Sequence, residues 1–363
     1  MHITMKKTIL LIAASMLMFA CSKENDGGKS TDEPPGQIIE LAAVNELTDG
    51  LAATKTRPLY SQEAIQEVER VSIYVFTDNG ATTSYLKTYT VTGWSKGTTF
   101  MRFPVPDNDK LATGNYQLLV IGREATDNFT LPNLVVGTTK IEDVIAHVSA
   151  PGQESEIFAG VKPVTVSSQG VRVSMQMTRK VAGILGYFKN VPYDINGQTV
   201  KFLRLTCSNA DTSVILSNGN GMNPTNTAYM LINADLSGQA KNTDLGIYTG
   251  NDLDAQGVVK VPNSQLFGKF MLPVGNITLT LGLYDAGGVA LKTWTVQDNT
   301  SSTFNILANQ FYSLGQKVKK GDTTGGGTPD TGDDDAPVDL LKDQVIVLTI
   351  DPNWAAIHNL TIN

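Results

Sequence analysis

The side chains that most often carry catalysis or bind metals are few and widely separated in this 363-residue sequence. Its three histidines are His2, His147 and His358, and no two of them stand at the spacing of a metal-ligand pair. P-loop and CxxC motifs do not occur, and the one GxSxG match, Gly93-Trp94-Ser95-Lys96-Gly97, has no histidine close to it in sequence. Asp333-Asp334-Asp335 lacks the spaced oxygen ligands of a calcium loop and is interpreted as a solvated linker. We therefore predict no catalytic residue, no metal site and no bound cofactor, and a protein that is not an enzyme.

Covalent processing is the chemistry that the N-terminus indicates. Lys6 and Lys7 precede an almost wholly apolar run, Thr8 to Ala20, which ends at Cys21. The run is shorter than the roughly 20 apolar residues of a transmembrane helix and has the length of a secretory signal core. Because a small residue followed by Cys resembles a lipobox, we predict that Cys21 is diacylated. Cys207 then has no partner for an intrachain disulfide and is predicted to be a small buried hydrophobe.

A second processing site is suggested by a basic segment, Lys55-Thr56-Arg57-Pro58, within the irregular stretch 48–60. A basic residue in an exposed loop is a candidate for cleavage by a trypsin-like protease. Arg57 and Pro58 flank the candidate bond, and a proline after the scissile bond hinders such proteases. Cleavage after Lys55, cleavage by another protease and no cleavage at all remain alternatives.

The elements around these sites have a period of two, which indicates strands. Alternating apolar residues occur in several runs: Gln37 to Val44, Val71 to Val75, Val171 to Met177 and Ile277 to Leu283; Tyr116 to Ile121 is a further strand-like run. Helical patterns are restricted to Ser61 to Arg70 and Thr139 to Val148. We predict an all-β protein with two β-sandwich domains in tandem, of transthyretin-like, Greek-key type, and a few short helices. The net charge of −7 without a basic patch argues against a nucleic-acid partner.

Composition divides the chain further. A boundary is predicted at the turn-rich Ser167-Ser168-Gln169-Gly170, and a polar linker follows the second domain. The predicted organisation is a signal peptide (1–20), a lipidated tether (21–36), an N-terminal sandwich (37–168), a C-terminal sandwich (169–318), a linker (319–337) and an appended strand segment (338–363).

The appended segment contains Val345 to Ile350, which is apolar on both faces. A free strand of this kind is an aggregation hazard, so it must dock into a sheet of its own chain or of a neighbour. We predict a strand donated to a neighbouring subunit, with Val345, Val347, Ile350 and Trp354 as its main side chains.

These features together resemble the FimA-like fimbrillins, the subunits of type V pili of Bacteroidetes. The resemblance rests on Cys21, on the strand 37–44 followed by the Arg57 loop, and on four later segments: Thr113 to Val120, which is similar to the family's G-x-Y/R-x-L-x-V strand, Val173 to Ile184, Asn309 to Leu314, and the C-terminal strand with Asp351 and Trp354. In the last of these, Pro352-Asn353 separates the acidic residue from the tryptophan, which departs from the family's D-W or E-W ending.

The resemblance implies a structural subunit of a surface fimbria that serves adhesion. Such a subunit is exported as an outer-membrane lipoprotein, cleaved by a processing protease that removes the first strand, and polymerised with other fimbrial subunits by strand exchange. The appended strand favours a stalk subunit. The alternatives are a tip adhesin, a membrane anchor, or a glycan-binding surface lipoprotein, for which three tryptophans (Trp94, Trp294 and Trp354) provide few binding platforms.

Overall fold

The computed structural model describes residues 36–43, 67–250, 259–298, 301–317, 335–342 and 345–351. Helix in these residues is limited to two 3₁₀ turns, Asp107–Asp109 and Ile141–Asp143, so the prediction of an all-β protein is confirmed. The predicted helix over Thr139 to Val148 is wrong beyond its single 3₁₀ turn: the backbone of Thr139 accepts from Tyr85, and that of His147 pairs with Thr130. Of the predicted helix 61–70, Arg70 begins a strand, and residues 61–66 lie outside the described residues.

Eight strands occupy the first half of the chain: β1 Gln37–Ala43, β2 Arg70–Asp78, β3 Thr83–Val91, β4 Phe100–Pro104, β5 Gly114–Arg123, β6 Ile145–His147, β7 Ile157–Val166 and β8 Val171–Arg179. Seven of them form one sheet in the order β3-β2-β5-β7-β8-β1-β4. β7 and β8 pair through only two residue pairs, Phe158 with Arg179 and Ala159 with Thr178. Side chains from β2 and β5 share one core with those from β1 and β8, so the sheet folds over at this junction into a sandwich.

The remaining strands are β9 Ala182–Lys189, β10 Asp194–Ile195, β11 Gln198–Thr199, β12 Phe202–Cys207, β13 Asp211–Ile215, β14 Gly221–Pro224, β15 Tyr229–Asp235, β16 Lys241–Asn242, β17 Ile247–Tyr248, β18 Ser264–Met271, β19 Val274–Ile277, β20 Leu279–Tyr284, β21 Ala290–Gln297, β22 Phe304–Ile306, β23 Phe311–Leu314, β24 Val338–Asp339, β25 Ile346–Val347 and β26 Thr349–Asp351. One five-stranded sheet has the order β15-β12-β20-β21-β25; the other has β18-β9-β23-β26, with β24 also on β9. Side chains of both sheets meet in a second core. Cys207 is buried in it, as predicted.

A third core joins the two halves. It combines the outer side chains of β2 and β5, such as Phe76 and Leu119, with those of β9 and β18, such as Tyr187 and Phe270. β2 and β5 are therefore covered on both faces near this junction, which is why Leu118 to Ile121 is continuously apolar and buried.

The strand pairing bears on the predicted boundary near residue 168. β8 follows that position, yet it pairs with β1 along seven residues and contributes Val173, Met175 and Met177 to the first core. At its end, the fully buried Arg179 forms an ion pair with Glu156 at 2.7 Å (Nε to Oε1). The division of the chain into domains stays a prediction, and this pairing favours a boundary after Arg179.

Candidate functional site at the two ends of the chain

The first described strand, β1, lies inside the sheet rather than at its edge. It runs parallel to β8 from Gln37–Val171 to Ala43–Met177 and antiparallel to β4 from Ile38–Pro104 to Ala42–Phe100. Ile39, Leu41 and Ala43 point into the first core and are buried, as their alternation predicted. Seven consecutive residues are thus held by backbone hydrogen bonds and by packing.

The first residue of β1 is held by side-chain hydrogen bonds, and the β7–β8 turn packs closely against the start of β1. The buried Gln37 side chain donates from Nε2 to the Leu111 carbonyl at 2.7 Å and accepts from the Leu111 amide at 2.8 Å. Gly170 has a φ of +83°, and a Cβ there would lie 2.3 Å from the Gly36 carbonyl oxygen. Glycine at 170 is therefore required for the β7–β8 turn to pass the beginning of β1.

The outer face of β1 carries one charged cluster. Glu40 accepts hydrogen bonds from Arg172 at 2.8 Å (Nη2) and from Arg102 at 3.0 Å (Nε). The hydrogen bond from Arg172, on β8, is the main reason that the pKa of Glu40 lies below its usual value; Arg102, on β4, adds to it. The cluster ties β1 to both of its neighbours.

The C-terminal segment begins at a buried ion pair. Lys317 Nζ lies 3.1 Å from the carboxylate of Asp335, and the side chains are 1% and 0% exposed. The Tyr187 hydroxyl donates to the same carboxylate at 2.9 Å, and burial raises the pKa of Tyr187 to about 12. The interpretation of Asp333-Asp334-Asp335 as solvated is therefore wrong at Asp335, where a buried lysine compensates the charge.

The residues after Asp335 continue along β9. Gln316 and Ala336 exchange two backbone hydrogen bonds of 2.8 Å, and β24 pairs in parallel with Phe188 and Lys189. Gly315, with φ +81°, leaves no room for a side chain: its Cβ would lie 2.4 Å from the Tyr187 carbonyl oxygen and 3.0 Å from the Val338 nitrogen.

The last two strands connect the edges of the two sheets. β25 pairs with Val296 and Gln297 of β21, and β26 pairs with Phe311 to Ser313 of β23. Leu340, Ile346 and Leu348 are buried in the second core. The segment therefore closes one side of its own sandwich.

The predicted donor residues are divided by this arrangement. Ile350 packs against the second core, whereas Val345 and Val347 are 60% and 44% exposed, and Trp354 lies outside the described residues. The two buried side chains of the apolar run are Ile346 and Leu348. The donor role itself stays a prediction.

The processing sites Cys21, Arg57 and Pro58 lie outside the described residues.

His147 is exposed on β6, with Nδ1 2.9 Å from Ser213 Oγ. Within the described part of the chain, no three His, Cys, Asp or Glu side chains converge as metal ligands do. No helix among the described residues is both long enough and apolar enough to cross a membrane.

Sequence reasoning missed Gln37 and the Lys317–Asp335 pair. Gln37 is the first residue of an apolar strand, and its polarity gave no sign of a partner 74 residues away. Lys317 lies just before the stretch 319–337 that composition marks as linker, and Asp335 lies near its end. The available signal was a lysine three residues after the end of a buried strand.

Comparison with known proteins gives a family match. The model of the family described as fimbrillin-A associated anchor proteins Mfa1 and Mfa2 matches residues 52–300. Among solved structures, the fimbrial anchor protein Mfa2 from Porphyromonas gingivalis is 10% identical, covering 77% of this chain and 90% of that chain with a TM-score of 0.41. The tip fimbrial protein Mfa3 from the same organism is 10% identical, covering 79% and 96% with a TM-score of 0.39. No curated protein matches the sequence.

Proposed function

The chain belongs to the family of fimbrillin-A associated anchor proteins Mfa1 and Mfa2, and on this premise we propose that it is an adhesion subunit of a bacterial surface fimbria. We further propose that it reaches the outer membrane as a lipoprotein modified at Cys21 and acts there as an anchor-type subunit. In this role it keeps its first strand and its lipid, so cleavage near Arg57 and Pro58 is not needed for its incorporation.

One observation carries the anchor role: the C-terminal segment is placed in the chain's own second sandwich. A segment that serves as a donor has to leave its own chain before it can complete another. Withdrawing Leu340, Ile346 and Leu348 from the core would cost about 6 kcal/mol, before the gain in chain entropy, at ~2 kcal/mol for each buried aliphatic side chain. An anchor at the base of a filament does not have to donate a strand.

A polymerising stalk subunit is the second candidate, and the exposed valines of the C-terminal segment favour it. Val345 and Val347 remain largely exposed, and β25 forms only two residue pairs. Release of β1 by a protease would open a groove between β8 and β4. A strand from another subunit would then bind there through backbone hydrogen bonds, with alternate side chains setting its register.

Surface material from cells that express the full chain distinguishes the two candidates. For the anchor, we expect the protein in the membrane fraction with its N-terminus at a lipidated Cys21, and no ladder of this chain in unboiled detergent samples. Cys21→Ala is the matched control and should abolish membrane retention. A boiling-sensitive ladder of chains that begin between Thr56 and Tyr60 would refute the anchor role and establish the stalk.

A further inference from the structure

The outward face of the sheet β15-β12-β20-β21 carries a row of polar and aromatic side chains. Alternate residues of these strands point into the second core, among them Leu203, Leu205, Leu281 and Leu283. The residues between them point away from it. Cross-strand pairing aligns Asn233 with Arg204, Arg204 with Gly282, and Gly282 with Thr293. One arginine thus lies near the middle of an open sheet face.

The guanidinium of Arg204 is fixed in place. Its Nε donates to Asn233 Oδ1 at 2.9 Å. Its Cζ lies 4.5 Å from the ring centre of Phe202 and 4.8 Å from that of Tyr284, which are themselves a cross-strand pair. A Cβ at Gly282 would lie 2.7 Å from the Tyr284 ring, so the ring occupies the space that the glycine leaves. Stacking on two rings holds the cation with little loss of side-chain entropy on binding.

Arg204 forms no ion pair with a carboxylate among the described residues. Asp235, the cross-strand partner of Phe202, accepts from the Ser237 amide at 2.8 Å, and Asp285, which follows Tyr284, accepts from the Val289 amide at 2.8 Å. The terminal nitrogens of a fixed guanidinium are suited to a planar anion such as a carboxylate.

Threonines share the outward face of the sheet with Arg204. Thr206, Thr280 and Thr295 form the next cross-strand row, and Thr293 extends the row of Arg204. Thr293 and Thr295 are exposed, as is Asn233. Hydroxyl and amide groups on a flat surface complement a ligand that is rich in hydroxyls.

We propose that this face binds an acidic polysaccharide, with Arg204 contacting a uronic acid carboxylate and the threonine rows contacting sugar hydroxyls. Phe202, Tyr284 and Asn233 act as positioning residues, because they orient the guanidinium. The site would supply an adhesive surface whatever position the subunit has in the filament. A failure to bind sugar therefore leaves the assignment as a fimbrial subunit intact.

Titration of the purified full chain with tetragalacturonate at low salt tests the proposal. We expect saturable binding that weakens at least tenfold in Arg204→Lys, which keeps the charge but loses the planar fork, and several-fold in Tyr284→Leu. Arg102→Lys, on the outer edge of the first sheet, is the matched control and should bind as the parent does. Circular dichroism and melting of each variant should match the parent.

Two further probes separate sugar recognition from charge. The methyl ester of tetragalacturonate should lose most of its affinity, and an oligo-glutamate of equal charge should bind far more weakly than the sugar. Equal binding of oligo-glutamate and sugar would overturn the proposal in favour of an acidic peptide or simple charge attraction. Absence of tetragalacturonate binding, or equal binding by Arg204→Lys, would also overturn it.

Discussion

β1 and the segment β24–β26 both pair with strands from the rest of the chain, but they differ in how long the pairing is and in how many neighbours each strand has. β1 is continuous over seven residues, has a neighbour on each side, and buries every second side chain. The C-terminal segment is broken into three strands of two or three residues, which reach β9, β21 and β23 in turn. A strand inserted between two others is needed for the sheet to be continuous. A segment along the edges of a sandwich instead covers a core whose sheets are already formed by the rest of the chain. The first end should therefore be essential for folding, and the second should add stability.

The largest expected effect is at the middle of β1. Leu41→Asp places a charge in the first core without a partner, and we expect a loss of about 5 kcal/mol in the free energy of unfolding. Ile38→Asp, on the opposite face of the same strand, is the control and should cost much less. Denaturant titration of both variants gives the two values, and similar costs would show that β1 is not inserted as described.

A pH titration examines the contact between the halves. Burial raises the pKa of Glu154 to about 7; its neighbour Lys269 lies on β18, where it contacts Tyr229 of β15 at 3.0 Å. A carboxyl with a raised pKa stabilises the fold fully below its unfolded pKa of 4.5, and this contribution is lost as pH rises through 7. We expect about 3 kcal/mol less stability at pH 8 than at pH 4.5 from this group.

Glu154→Gln is the control for that titration, because it cannot ionise. The variant should lose this part of the pH dependence and be more stable than the parent at pH 8. If the contact around Glu154 couples the two halves of the chain, the halves should melt in one transition at pH 5. A parent and a variant with the same pH profile would show that Glu154 ionises normally in the fold.

A smaller effect is expected in the C-terminal segment. Leu348→Ala removes a buried side chain at the sandwich edge and should reduce the free energy of unfolding by about 2 kcal/mol. The control Val347→Ala, at the exposed neighbour, should change it by less than ~0.5 kcal/mol. Equal effects of the two substitutions in denaturant titrations would mean that the alternation of burial in this segment is wrong.

The smallest effect should come from the charged cluster on β1. Glu40→Gln removes ion pairs to two arginines that are about half exposed, so we expect a loss under ~1 kcal/mol, reduced further by salt. Because the pKa of Glu40 is lowered, this contribution is present above its unfolded pKa of 4.5 and is lost as pH falls below it. A loss of several kcal/mol at neutral pH would place the cluster among the essential contacts of β1.

The strands could be predicted from sequence where one face is buried and the other is not. In β1 and β8, alternating apolar residues gave both the strand and its inward face. The helix over Thr139 to Val148 was wrong because its apolar spacing comes from a 3₁₀ turn and a short strand that face one core. That segment is held by bonds to Tyr85 and Thr130, which local sequence does not reveal.

The site was predicted only in part for the same reason. Apolar residues in 345–350 indicated a strand that must dock, but the choice between its own sheets and a neighbour's depends on contacts with β21 and β23. The burial of Asp335 depends on Lys317 and on Tyr187, which is 148 residues away in sequence. Composition alone assigns such an aspartate to solvent.

Hydrogen exchange in the full-length monomer tests most directly whether the C-terminal segment completes its own chain. The amide of Leu340 donates to the Lys189 carbonyl at 3.0 Å, and that of Leu348 donates to the Gln297 carbonyl at 2.7 Å. We predict that both amides exchange at least ~100-fold more slowly than in an unstructured peptide, independently of protein concentration. Exchange at the unstructured rate, or protection that disappears on dilution, would contradict this account and show that the segment awaits a neighbouring subunit.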